Sequence, residues 1–202
     1  MRFDTRHSEP PYGRVDLEAL GHRHYSWAFR SRGIHVATVQ ASGTRVDDGS
    51  ETVSEPVAFT FLVDPAPVHW WLLDHFGSAA IQSRALLEAD PHGSGITNLK
   101  AYAFGLDPNA PATGGLPAVE IRPVDGETYL WIVFRRPEGR DDVHYTVEVS
   151  TDLRNWSPVD KNTVPTESRV DTDGTPVMAV SDVAPVGEDT SRYLRVRTEW
   201  RP

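Results

Sequence analysis

The stretch GHRHYSWAF, residues 21–29, sets His22 and His24 two positions apart. On an extended strand, side chains at i and i+2 leave the same face with Cβ atoms roughly 6–7 Å apart. Two imidazoles held that way can ligate one zinc or copper ion once a third ligand arrives. His35, His7 and Asp4 are the candidates, and the spacing selects none of them. The structural alternative is that the pair hydrogen-bonds a neighbouring loop or covers the sheet. A zinc or copper site at His22, His24 and His35 is thus one expectation, and a divalent metal is the one cofactor it implies.

A second cation site is suggested by ADPHGSG and the segment after it. A twelve-position calcium loop supplies oxygens from positions 1, 3, 5, 7, 9 and 12, the last a bidentate Glu. With Asp90 at position 1, His92 falls at 3, Ser94 at 5, Ile96 at 7, Asn98 at 9 and Ala101 at 12, and Gly95 keeps the turn. The geometry survives but the charge does not. Of the expected carboxylates only Asp90 remains, and imidazole is a poor ligand for a hard cation. Asp90 and Asn98 are left as weak calcium ligands in a degenerate loop held by packing and backbone turns. Asp107 and Glu88 are the further oxygens within reach of the pattern.

Other chemistry has little to rest on. There is no G-x-S-x-G elbow, phosphate loop, dinucleotide fingerprint or H-E-x-x-H. HGSG at 92–95 imitates a nucleophile elbow but falls inside the degenerate loop. Asp47-Asp48 and Asp141-Asp142 lie in polar turn segments, where adjacent acids are expected to be solvated rather than to act as a glycosidase couple. His69 and His75 read as capping or packing residues of a helix start, and His92 and His144 stand alone. Trp156 follows the turn STDLRNW. It is expected either to plug the end of a β-sandwich or to offer a ligand-binding platform on which a sugar ring stacks.

The elements that would carry these residues are mostly strands. The 202 residues include 16 prolines and 15 glycines, punctuation for many turns. A net charge of −9 argues against nucleic-acid partners and docking on anionic lipid, since no basic stripe meets phosphate. The absence of cysteine excludes disulfides, thiolate zinc and a thiol nucleophile. No apolar run is long enough for a membrane span. The N-terminus MRFDTRHSEPP has no apolar core, so no secretory signal is expected in this chain.

Residues 1–64 read as three strands. HRHYSWAF alternates, with Tyr25, Trp27 and Phe29 on an inner face. IHVATV follows, and then PVAFTFLV, with Val57, Phe59, Phe61 and Val63 on one side. Asp48-Gly49 marks a hairpin turn. DPAPV at 64–68 is a stiff boundary, after which the period becomes helical. Trp70, Leu73 and Phe76 share one face, with an interruption at Gly77 and Ser78, and ITNLKAYAFG forms a short helix ended by Gly105. From about 112 the runs AVEIR, TYLWIVFRR, DVHYTVEVS, PVMAVSD and SRYLRVRTEW read as strands of an antiparallel sandwich.

Three stretches resemble known modules. LGHRHYSWAFRSRGIHVATVQASG…SEPVAFTFLV, residues 20–63, resembles the bacterial choice-of-anchor M or actinobacterial surface-anchored wall-repeat domain. DPHGSGITNLKAYAFGLDP is similar to thrombospondin type 3 and dockerin loops, in the form found as a linker in exported proteins of Verrucomicrobia-like bacteria. YTVEVSTDLRNWSPV with RYLRVR resembles the β-sandwich that closes such proteins. The resemblance implies a mainly β fold: two antiparallel β-sandwich (Ig/fibronectin-like) regions, 1–64 and 112–202, joined by a short helical linker, 65–111, with a degenerate calcium-type loop. It implies an extracellular or cell-surface location and no catalytic activity. The role it suggests is structural or adhesive, with other domains of the same exported protein, or cell-surface or polysaccharide components, as partners. Some members of the first family accompany metal-type transport systems, which implies a metal-binding alternative. A carbohydrate-binding accessory module is a third reading.

Overall fold

The computed structural model describes residues 16–18, 21, 22, 24, 26–112, 114–187 and 191–201. The chain divides into two units, Met1–Ser31 and Arg32–Pro202. In the first, the described residues form no strand. Trp27 is 46% exposed where an inward aromatic was expected, and its ring stacks on Phe29 at 6.5 Å. Alternation alone does not make a strand, because an extended segment also needs a neighbour to take its backbone hydrogen bonds.

The second unit opens with a long hairpin. β1 (Gly33–Val39) pairs antiparallel with β4 (Val57–Val63), from Gly33 opposite Val63 to Val39 opposite Val57. β2 (Ser42–Thr44) and β3 (Glu51–Val53) continue it toward the tip, where Gly49 has φ 72 beside Asp48. Ser42 faces Val53, so the returning strand carries one extra residue, a β-bulge. Ser54 anchors it: its N–H donates to the Ala41 carbonyl and its hydroxyl accepts the Ala41 N–H at 3.0 Å. Two strands do not make a second layer. Val57 and Phe59, expected on an inner face, are accordingly exposed.

α1 (Pro67–Phe76), a 3₁₀ segment (Gly77–Gln82), α2 (Ser83–Glu88) and α3 (Asn98–Phe104) follow. Pro67 opens α1, where its missing N–H costs nothing. Val68, His69 and Leu72 are the buried residues of α1, and Trp70 faces outward, one position off the expected Trp70–Leu73–Phe76 row. α3 ends at Gly105, φ 69, with the Leu106 N–H donating to the Ala101 carbonyl at 2.8 Å.

The rest is β: β5 (Ala118–Val124), β6 (Glu127–Arg135), β7 (Val143–Ser150), β8 (Ser157–Pro158), β9 (Thr166–Val170), β10 (Pro176–Ser181) and β11 (Tyr193–Trp200). They form two antiparallel sheets, ordered β5-β6-β10-β9 and β11-β7-β8. The chain is therefore mainly β, with several antiparallel sheets. β8 and β9 were not expected; β9, TESRV, is exposed throughout and carries no apolar alternation. One hydrophobic core joins the helices to both sheets: Val68, Leu72, Tyr102 and Phe104 pack with Phe134, Tyr145, Val147 and Val180, and Ile34 of β1 joins them.

A polar lock sits inside that core. Asp142, in the turn before β7, is 7% exposed, against the expectation of a solvated turn acid. Its carboxylate accepts the Val68 N–H at 3.0 Å and the Tyr102 hydroxyl at 2.7 Å. It thereby satisfies an orphan amide in the first turn of α1 and fixes α3 with the same group. Arg140 lies 4.1 Å over the Tyr102 ring and donates to the Tyr102 carbonyl at 3.1 Å. The Tyr145 hydroxyl donates to the Ala103 carbonyl at 2.6 Å, and burial pushes its phenol up to about 12, so it remains a donor.

We predict that Asp142→Ala lowers stability by about 2–6 kcal/mol, since two buried donors lose their acceptor at roughly 1–3 kcal/mol each. Tyr102→Phe, which leaves the Val68 bond intact, costs about 1 kcal/mol. Urea midpoints at unchanged slope measure both; equal midpoints for Asp142→Ala and wild type would exclude the lock.

Candidate functional site

His22 and His24 are exposed, with ring centroids 5.4 Å apart and planes at 87°. They are thus adjacent without a strand to align them. His35 lies in β1 opposite Phe61 and is half-buried. Among the described residues, no three His, Asp or Glu side chains are grouped as metal ligands. His7 and Asp4 lie outside the described residues.

The loop after α2 turns Asp90 onto its own backbone. Its carboxylate accepts the Gly95 N–H at 2.6 Å and the Ser94 N–H at 3.1 Å. Burial raises the Asp90 carboxyl, but the amides of Gly95, Ser94, His92 and Gly93 together hold it below the usual carboxylate value. Asn98 serves a different end. It is buried, its side-chain amide donates to the Leu86 carbonyl at 2.9 Å, and its N–H donates to the Ala89 carbonyl. It ties α3 to the end of α2. The Lys100 ammonium donates to the Gly95 carbonyl at 2.7 Å, so a fixed positive charge already sits beside the loop's carbonyl. A shallow groove beside the loop is lined by His92, Ser94, Ile96, Asn98 and Asp107.

Trp156 is half-buried. The Arg195 guanidinium lies 4.0 Å over its ring, and its indole N–H donates to the Leu153 carbonyl at 3.3 Å. One face of the expected platform therefore carries a cation–π partner. Arg195 also belongs to a ladder across β7 and β11: Glu148, 7% exposed, accepts from Arg195 at 2.7 Å and from Arg197 at 2.9 Å. On the other sheet, Arg122 lies 4.9 Å over Trp131 and is held by Glu120 at 2.6 Å and Glu167 at 2.8 Å. The first of these carboxylates is the main reason that the Arg122 guanidinium is raised above its ordinary value.

The burial of three acids escaped sequence reasoning: Asp142, read there as a solvated turn acid, Glu148 and Asp182, the last ion-paired with Arg192. For Glu148 a signal existed in principle, since two arginines spaced i, i+2 on one strand can converge on a facing carboxylate. The register that brings them together comes from pairing, not from local pattern. His69 was read only as a capping or packing residue. It is 3% exposed, and its Nδ1 accepts the Ala66 N–H at 2.9 Å, the part a Glu or Gln plays in a capping box. Its ring stands edge-on to Trp200 at 5.7 Å. Gly33 approaches so closely that a Cβ there would lie 3.1 Å from Nε2, and its φ of 115° suits glycine.

Burial pushes the His69 imidazole below its ordinary value, and the Asp142 carboxylate pulls the other way without cancelling it. The folded chain therefore resists a proton that the unfolded chain accepts near pH ~6.5. Stability from this residue is full above that value and falls as pH drops through it toward the lower folded value. We predict that the urea midpoint declines across this window and that His69→Gln flattens the decline; an unchanged slope in the variant would assign it elsewhere. No protein-family model matches this chain, and neither does any curated protein or solved structure.

Proposed function

We propose that the chain is a non-catalytic structural or adhesive module of a bacterial extracellular or cell-surface protein. In this reading the two C-terminal sheets form an Ig/fibronectin-like sandwich, and the helices are the connector that docks on it. One observation carries most of the weight. The buried acids are committed to architecture: Asp142 to the α1 amide and Tyr102, Glu148 to Arg195 and Arg197, Asp182 to Arg192. Acids tied down in this way are shielded from solvent and spend their oxygens on partners within the fold. The resemblance of residues 20–63 to a surface-anchored repeat supplies the location. The partners are other domains of the same exported protein, or cell-surface or polysaccharide components.

Protease treatment of intact producing cells tests it. Peptides of this chain should be released while cytoplasmic proteins stay protected; complete protection of the chain, alongside release of a known surface protein, would overturn the location and with it the role.

A second reading is favoured by the perpendicular His22–His24 contact at 5.4 Å: a metal-binding surface domain. Two exposed imidazoles that already touch lose less side-chain freedom on chelating one ion. Calorimetric titration with zinc or copper should then show binding weakened about tenfold or more by His22→Ala; heats identical in wild type and variant would discard it.

A further inference from the structure

Each of the two C-terminal sheets brings a cation to Tyr145. On β6, Ile132 and Phe134 belong to the core shared with the helices, and the ladder runs one residue past the strand, where the Arg136 N–H donates to the Pro176 carbonyl at 2.8 Å. Side chains two apart on a strand share a face, so Arg136 continues the row of Ile132 and Phe134. Its guanidinium lies 5.5 Å over the ring of Tyr145, a buried residue of β7.

The second cation comes from the chain leaving β8. That strand pairs with β7 so that Ser157 faces Val149 and Pro158 faces Glu148, and the Val159 N–H donates to the Val147 carbonyl at 2.8 Å. The same register brings Lys161 level with Tyr145. Val159 is buried, and Lys161, two residues on, is half-buried. Burial first, and then the charge of Arg136, lower the Lys161 ammonium from its ordinary value, so the two cations are close enough to act on each other. Burial raises the Tyr145 phenol, and Arg136 and Arg140 pull against it, which places a third positive charge nearby.

No carboxylate answers Arg136 and Lys161. Among the described residues neither forms an ion pair, although Arg135, one position earlier, meets both Asp171 and Asp173. Glu138 and Asp141 are exposed, and Asp160 turns an oxygen onto the two amides of Asn162. Two cations held together against apolar surface repel, and an anion between them removes the repulsion. In a chain of net charge −9, acids are plentiful, yet none pairs with these two.

We propose that Arg136 and Lys161 form a binding site for a phosphoryl group where β6 ends and the chain leaves β8. A guanidinium offers parallel N–H donors to two oxygens, and an ammonium binds as a point charge. A phosphoryl group has a third oxygen for the ammonium, which a carboxylate lacks. Arg136 is exposed, so the remainder of a phosphate ester stays in solvent. The inference rests on these two cations and not on the surface-module reading.

Lys100 and Lys161 are the only lysines of the chain, so amine labelling reads the site directly. Lys100, bonded to the Gly95 carbonyl, is the internal control. With ionic strength matched by chloride, saturating inorganic phosphate should slow acetylation of Lys161 about tenfold or more and leave Lys100 unchanged. In calorimetric titrations, Arg136→Gln and Lys161→Met should each weaken phosphate binding about tenfold or more, and Arg154→Gln, at an exposed arginine of the turn after β7, should not. Methyl phosphate separates the sources: binding as tight as inorganic phosphate assigns the site to an ester, weaker binding to the free ion. Equal protection of both lysines, no heat with phosphate, acetate binding as tightly as phosphate, or equal losses in all three variants would each overturn the proposal. If a variant fails to fold, labelling of the wild type decides.

Discussion

A carboxylate taken out of water has to be met by donors, and Asp142 is met by groups from elements far away in sequence. Its partner at Val68 lies 74 residues earlier and its partner at Tyr102 lies 40 residues earlier. Leaving two or three of these buried polar groups unmatched would cost roughly 2–9 kcal/mol, a large share of the roughly 5–15 kcal/mol that holds a domain folded. The start of α1, the position of α3 and the entry of β7 are thereby mutually dependent. The same site explains the neighbours: His69 caps the helix whose amide Asp142 receives, Arg140 closes over Tyr102, and the Arg201 N–H donates to the Asp142 carbonyl at 2.9 Å.

Around that lock, charge is arranged by sheet register. Glu148 lies between Arg195 and Arg197 because β7 and β11 pair with Glu148 opposite Arg195. Arg122 reaches both Glu120 on its own strand and Glu167 on β9. Pairs in which one partner reaches solvent, as Arg195 and Glu167 do, contribute little each. Their larger effect is to cover apolar area, since the stems and guanidinium planes of Arg122 and Arg195 lie over Trp131 and Trp156. The tryptophan that sequence alone would offer to a sugar is thus already half used.

Legibility followed the range of the interaction. The α3 stop at Gly105, the Asp48-Gly49 turn and the β runs of 33–39, 57–63 and 193–200 rest on local backbone preference or alternation, and they stand in the structure. HRHYSWAF has the same alternation and forms no strand among its described residues, because alternation reports what a strand would bury and not whether a neighbour exists. Trp70, Leu73 and Phe76 share a helical face by spacing, but spacing leaves open which face is buried, and Val68 and Leu72 take that place while Trp70 is exposed. Asp142 beside Asp141 is a turn acid by every local criterion; its burial depends on a helix end that no nearby residue announces. Asn98 kept the loop pattern at its position while its side chain turned to the Leu86 carbonyl, a contact set by the packing of α2 against α3.

Burial along the hairpin shows where the body ends. Leu62 and Val63 are half-buried near the core, and from Thr38 to Thr60 every residue is exposed. A two-stranded ribbon in water is marginal by itself, because it pays backbone entropy without gaining a dry face. The bulge at Ser54 and the bonded tip around Asp48 give it local order, but they do not remove the exposed valine and phenylalanine row. β4 itself carries no charged side chain, and Val57 and Phe59 stay about half exposed on it.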